Sequence, residues 1–313
     1  MKRREVLKRG VQGSLSLGIA KALHNTTIGY GHFGLGDNLH DQDLHALLEQ
    51  GIRLPYTSER SIDGYRVKRQ RNDLTYNNDG DWHEISPSSP QSLQDMATAV
   101  SHIDAGSFSA SFSDPNTFFE TCTHHTPNPH VVESIRANRL PPADPSRVET
   151  VTGVSPSDSK RTVSGLIEGF REHGAYDIPR YLAGSIEDNV IVGAADLREP
   201  FLPEESFEEL LSQDEAVGLF CGELTRLSIR AMHAMPATEQ SPPLFGFYVL
   251  NRRHKHAYTG FGTAIVDDDN LHLPITFVDY THTTLYHDLH IDRFFDDPEN
   301  AYTEWQRADQ FIF

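Results

Sequence analysis

From Ser155 onward the apolar positions fall into two regimes, helical first and alternating afterwards. Val163, Leu166, Ile167 and Phe170 recur at helical spacing behind the cap-like Ser155-Pro156-Ser157-Asp158, which predicts a helix through about His173. A second helix is predicted over roughly Pro179 to Val192. A third runs over Pro203 to Leu211, with Pro and acidic residues in its first turn as the helix dipole prefers. After Gly218, Phe220, Leu224, Leu227, Ala231 and Met235 mark the apolar face of a fourth, closed by Pro236. The period then changes to two. Leu244 to Leu250, His254 to Val266 and Leu271 to Asp279 read as strands, joined by the turns Asn251-Arg252-Arg253 and Asp267-Asp268-Asp269-Asn270.

The first half is less regular. Asp41 to Glu49 is a helix candidate, and Tyr65 to Gln70 and Asp73 to Tyr76 read as short strands. Asn77-Asn78-Asp79-Gly80 is a turn before Trp82-His83-Glu84-Ile85, so a hairpin or small meander is expected. A short helix from Gln91 to Val100 follows the loop Ser86-Pro87-Ser88-Ser89-Pro90, and Pro141-Pro142-Ala143-Asp144-Pro145 is the best boundary between two halves. The fold class expected is α+β: a small mixed part over residues 23–145, then helices followed by an antiparallel meander over 146–313.

Composition narrows the functional classes. The chain has 313 residues, 27 Lys and Arg against 45 Asp and Glu, a net charge of −18 and two cysteines. An acidic chain is ill suited to nucleic acid, which is bound through clustered cations. No apolar run is long enough to span a bilayer, and two cysteines make neither a disulfide framework nor a cysteine-only zinc site. Only six cations are Lys (Lys2, Lys8, Lys21, Lys68, Lys160 and Lys255). Few Lys with many carboxylates suits a halophilic protein, because concentrated salt screens self-repulsion.

The first residues, Met1-Lys2-Arg3-Arg4-Glu5-Val6-Leu7-Lys8, carry two arginines followed by an apolar pair and a Lys, and the weakly apolar stretch Val11 to Ala20 contains no acid. This resembles a twin-arginine export signal, with Ala20-Lys21-Ala22 as a small-residue cleavage site. The resemblance implies export from the cytoplasm. Residues 1–22 hold six of the cations and one acid, so the remainder would carry a net charge of −23.

Three residues combine into a chemistry. Cys221 falls at or near the start of a helix, His256 lies on the long strand and Asp279 ends the next one. A helix N-terminus and an adjacent imidazolium favour a thiolate, and a carboxylate on the neighbouring strand fixes the imidazole's orientation. Two alternatives stay open. Cys221 is a small buried residue in other settings and pairs with Cys122 in a disulfide if the two meet. A helix beginning at the capping box Ser212-Gln213-Asp214-Glu215 would place Cys221 in its middle.

Gly218-Leu219-Phe220-Cys221, His256-Ala257-Tyr258 and Asp279-Tyr280-Thr281, in that order, resemble the transglutaminase-like branch of the papain-fold cysteine enzymes. The likeness covers about residues 180–285. That branch commonly has Trp where Tyr258 stands and Pro where Tyr280 stands. The resemblance implies a papain-like core with Cys221 as nucleophile, His256 as general base then acid and Asp279 as orienting group, acting on a peptide or protein substrate with no cofactor.

A second constellation is histidine, of which there are 17. His282, His287 and His290 crowd together with Asp288 and Asp292 and are candidate metal ligands, although their spacing fits no familiar zinc motif. They leave open a non-catalytic reading, an exported surface or binding protein that holds a metal ion.

Overall fold

The computed structural model describes residues 43–52, 54, 60–70, 73–136, 140–177, 206–212, 217–251, 256–267, 270–281 and 308–313. The export segment, the helix predicted over Pro179 to Val192 and the trio His282, His287 and His290 lie outside the described residues. Within them the protein is mixed α and β, with eight α-helices and largely antiparallel sheets.

Chain order begins with α1 (Leu44–Gly51), capped by the Asp43 carboxylate accepting the Ala46 N–H. An edge strand that the sequence pattern does not mark, β1 (Arg60–Ile62), comes next, and the expected strands follow as β2 (Tyr65–Gln70), β3 (Asp73–Asn78) and β4 (Asp81–Glu84), all antiparallel. This meander lays Ile62 and Val67 on Leu93, Met96 and Val100 of α2 (Gln91–Ala105). That helix continues five residues past the expected Val100, because Ile103 supplies one more core contact before Gly106 ends it in the left-handed region.

Next come β5 (Ser109–Phe112), α3 (Pro115–His124), α4 (Pro129–Ile135), α5 (Pro145–Thr152) and α6 (Ser159–His173). Helices α3, α4 and α5 repeat one device. An Asp or Asn cap (Asp114, Asn128, Asp144) precedes a Pro whose missing N–H costs nothing in the first turn. A two-stranded parallel pair, β6 (Gly174–Tyr176) with β7 (Val217–Leu219), brackets α7 (Phe207–Ser212) in sequence and leads into α8 (Cys221–Met232).

The central sheet contains β8 (Phe245–Asn251), β9 (His256–Gly262), β10 (Ile265–Asp267), β11 (Asn270–Val278) and β12 (Gln310–Ile312), in spatial order β10-β11-β9-β8-β12. The strand expected from His254 to Val266 is thus two. Its ladder with β11 breaks at Thr263 and Ala264, opposite Leu273 and Pro274, where Pro274 has no N–H to donate. The sixth strand is β5, parallel to β11 with Ser109 beside His272, so residues from both sides of the Pro141 to Pro145 stretch share one sheet.

Both faces of this sheet are covered. Phe245, Phe247, Val249, Tyr258, Ile275 and Phe277 pack on one side with α1, α2 and α4. Phe261 and Val278 pack on the other with Leu224, Leu227 and Ala231 of α8 and with α3, α5, α6 and α7. Gly260 stands opposite Phe247, and a methyl group there would lie 2.2 Å from the Phe247 ring, so only Gly admits that ring.

Candidate active site

The site is assembled from the start of α8 and the ends of two adjacent strands. Helix α8 begins at Cys221, with Phe220 as its cap residue. Phe220 has no side-chain acceptor, so only the reciprocal half of a capping box forms, Glu223 Oε2 accepting the Phe220 N–H at 2.7 Å. Strand β7 lies between α7 and α8, which disposes of a helix running on from Ser212 and leaves Cys221 in the first turn, at the positive end of the dipole. Cys221 is partly accessible, whereas Cys122 is buried in the core under α8; both thiols are free, so the disulfide alternative does not occur. Burial pushes the Cys122 thiol up to about 12.

Helix α8 is fixed to the sheet along its length. Ser228 Oγ and Thr259 Oγ1 lie 2.6 Å apart, and Gly246 allows the backbone of Ile229 to approach β8. At its far end the buried Arg136 guanidinium donates to the carbonyl of Met232, the last residue of α8, at 3.5 Å, in keeping with the preference for a cation at a helix C-terminus, and beyond the helix to the carbonyls of Met235 at 2.7 Å and Leu244 at 2.8 Å and to Gln240. Burial first, partly offset by Glu133, brings the pKa of Arg136 down to about 10.

His256 opens β9 and Asp279 immediately follows β11. His256 Nε2 and Asp279 Oδ2 are 2.7 Å apart with both side chains buried. The second Asp279 oxygen accepts the Thr281 N–H at 3.0 Å. Tyr280 donates its hydroxyl to the Val163 carbonyl at 3.1 Å and so ties the Asp279 segment to α6. Tyr258 stacks on His256 with ring centroids 6.0 Å apart.

Cys221, at the start of α8, acts on the same imidazole. Burial alone would drive the imidazolium's pKa down; the Asp279 charge and hydrogen bond, then the Cys221 hydrogen bond and charge, outweigh it and raise His256 to about 10. The folded ring therefore holds its proton more tightly than a free imidazole does.

The three residues singled out from the sequence are thus brought together. Glu223 and Tyr248, which pack around the same first turn, were not singled out: an acid three residues after the cap was the only local signal for Glu223, and none marked Tyr248. Among the described residues no group of three or more His, Cys, Asp and Glu is placed to hold a metal ion, and no helix is long and apolar enough to cross a membrane. No family model matches the chain, and no curated protein or solved structure matches it.

Proposed function

We propose that the protein is a cysteine hydrolase or acyl transferase, transglutaminase-like in its core, with Cys221 as nucleophile. The observation that carries the reading is one imidazole shared between a buried carboxylate at 2.7 Å and a partly accessible thiol on the first turn of a helix. In the reaction, Cys221 sulfur bonds to the carbonyl carbon of an amide while its proton resides on His256. The helix N-terminus favours the oxyanion that develops. His256 passes the proton to the departing amine as the C–N bond breaks, leaving a thioester. Water or an acceptor amine, deprotonated by His256, releases the acyl group. Asp279 keeps the ring oriented throughout. Peptide or protein amides are the substrate class, and no cofactor enters the scheme.

The test is iodoacetamide alkylation at pH 6 in concentrated salt, read by mass spectrometry at each cysteine. Cys221 is expected to label quickly, His256→Gln to slow it at least tenfold, and Cys122 to label only after unfolding. Labelling of Cys221 only after unfolding would overturn the reading.

The workplace proposed is outside the cytoplasm, in concentrated salt, supported by the Lys2-Arg3-Arg4 motif and the acidic, Lys-poor remainder. Protein recovered from culture medium is expected to begin soon after residue 22; an intact Met1 there would contradict cleavage.

A further inference from the structure

Beside the nucleophile's helix lies a cleft of about 280 Å³, lined among others by Leu140, Arg226, Ile229, Tyr248, Ile312 and Phe313. Its place on α8 relates it to Cys221. Cys221, Thr225 and Ser228 form the stripe turned toward the sheet, where Ser228 meets Thr259 and Thr225 Oγ1 donates to the Cys221 carbonyl at 2.7 Å. Gly222, Arg226 and Ile229 form the next stripe, about 100° around the helix. The cleft borders that second stripe at Arg226 and Ile229, between α8, β8 and β12. At the Cys221 end stand its two polar side chains. A methyl group on Gly222 would lie 2.9 Å from the Tyr248 hydroxyl and 3.6 Å from an Arg226 guanidinium nitrogen, so the absence of a side chain at Gly222 lets both groups close on the residue next to the nucleophile.

We infer that this cleft receives the acyl side of the substrate, a bulky apolar group whose polar head, at the end near the reacting carbon, meets Arg226 and Tyr248; the inference rests on the reading of Cys221 as nucleophile. At roughly 30 Å³ for a water-sized group, the cleft holds on the order of ten non-hydrogen atoms, the size of an aromatic amino-acid side chain or a medium-length fatty chain. Its aliphatic and aromatic walls favour such a group over a small one by roughly fourfold per buried methylene.

The experiment uses four p-nitrophenyl esters: acetyl, octanoyl, N-acetylglycyl and N-acetylphenylalanyl. With each, Cys221 sulfur bonds to the carbonyl carbon, the C–O bond breaks, and p-nitrophenolate departs with the electron pair, so release is followed by absorbance and the thioester by mass. Octanoyl is expected to exceed acetyl, or phenylalanyl to exceed glycyl, by at least tenfold, and whichever pair shows the larger ratio names the source as lipid-like or peptide-like. Ile312→Trp is expected to bring that ratio toward one. Leu140→Trp, at another lining position, is the second variant should Ile312→Trp fail to fold. Equal rates across both pairs, or ratios unmoved by whichever variants fold, would overturn the inference while rapid iodoacetamide labelling left the Cys221 reading standing. If neither iodoacetamide nor any ester labels folded Cys221, both fall.

Discussion

In the central sheet every residue of β9 from His256 to Gly262 is buried, with helices over both faces, whereas in the four-stranded meander β4 leaves Asp81, His83 and Glu84 exposed and α2 covers one face. Each sheet holds an ion pair. Arg69 and Asp104, joining the meander to α2, meet with Asp104 43% exposed; His256 and Asp279 meet with side chains only 9% and 2% exposed. The contacts look alike, but water screens the first and is excluded from the second. A pair of this kind is costly to break and is therefore held in one geometry, as the orienting role proposed for Asp279 requires.

The largest test of that contrast is to remove one carboxylate from each pair. Asp279→Ala is expected to cost about 3–5 kcal/mol, because it removes both the charge and the hydrogen-bond partner of a buried imidazole. Asp104→Ala is expected to cost about 1 kcal/mol or less, both read by urea unfolding in fixed salt. Equal costs would erase the distinction.

The same contrast has a pH signature. His256 binds its proton more tightly folded, at about 10, than unfolded, near 6.5. Its contribution is therefore complete below about pH 6.5 and is lost as pH rises toward 10. Unfolding midpoints measured across that range are expected to fall in the native protein and to fall less in Asp279→Asn.

A smaller effect is expected from packing. Gly260→Ala forces a methyl group against Phe247 in the doubly covered sheet and is expected to cost about 1–3 kcal/mol. On the meander, Lys68 sits 3.9 Å from the Trp82 ring centroid, and Lys68→Ala is expected to cost about 0.5–1 kcal/mol. Thermal unfolding of the two variants ranks them.

What the sequence revealed follows the same division between local and distant causes. Strands β2 to β4 of the meander, the helix from Ser159 and the order of Cys221, His256 and Asp279 were legible, since each rests on local periodicity, turn residues or neighbouring elements. The pairing of β5 with β11 was not: four residues, Ser109–Phe112, carry no local mark of a partner more than 150 positions away. Arg136 was invisible for the same reason, because a lone Arg ordinarily reads as exposed and its acceptors lie about 100 residues further on. The start of α8 was ambiguous because two capping patterns compete there; tertiary pairing of β7 with β6 decides between them.

The central claim is that Cys221 and Asp279 together hold the proton on His256. Nitrogen-15 NMR of the His256 ring at pH 8, before and after alkylation of Cys221, tests it most directly. A doubly protonated ring whose proton affinity drops once the sulfur is blocked is the expected result. A neutral ring at pH 8, or one indifferent to alkylation, would contradict the account.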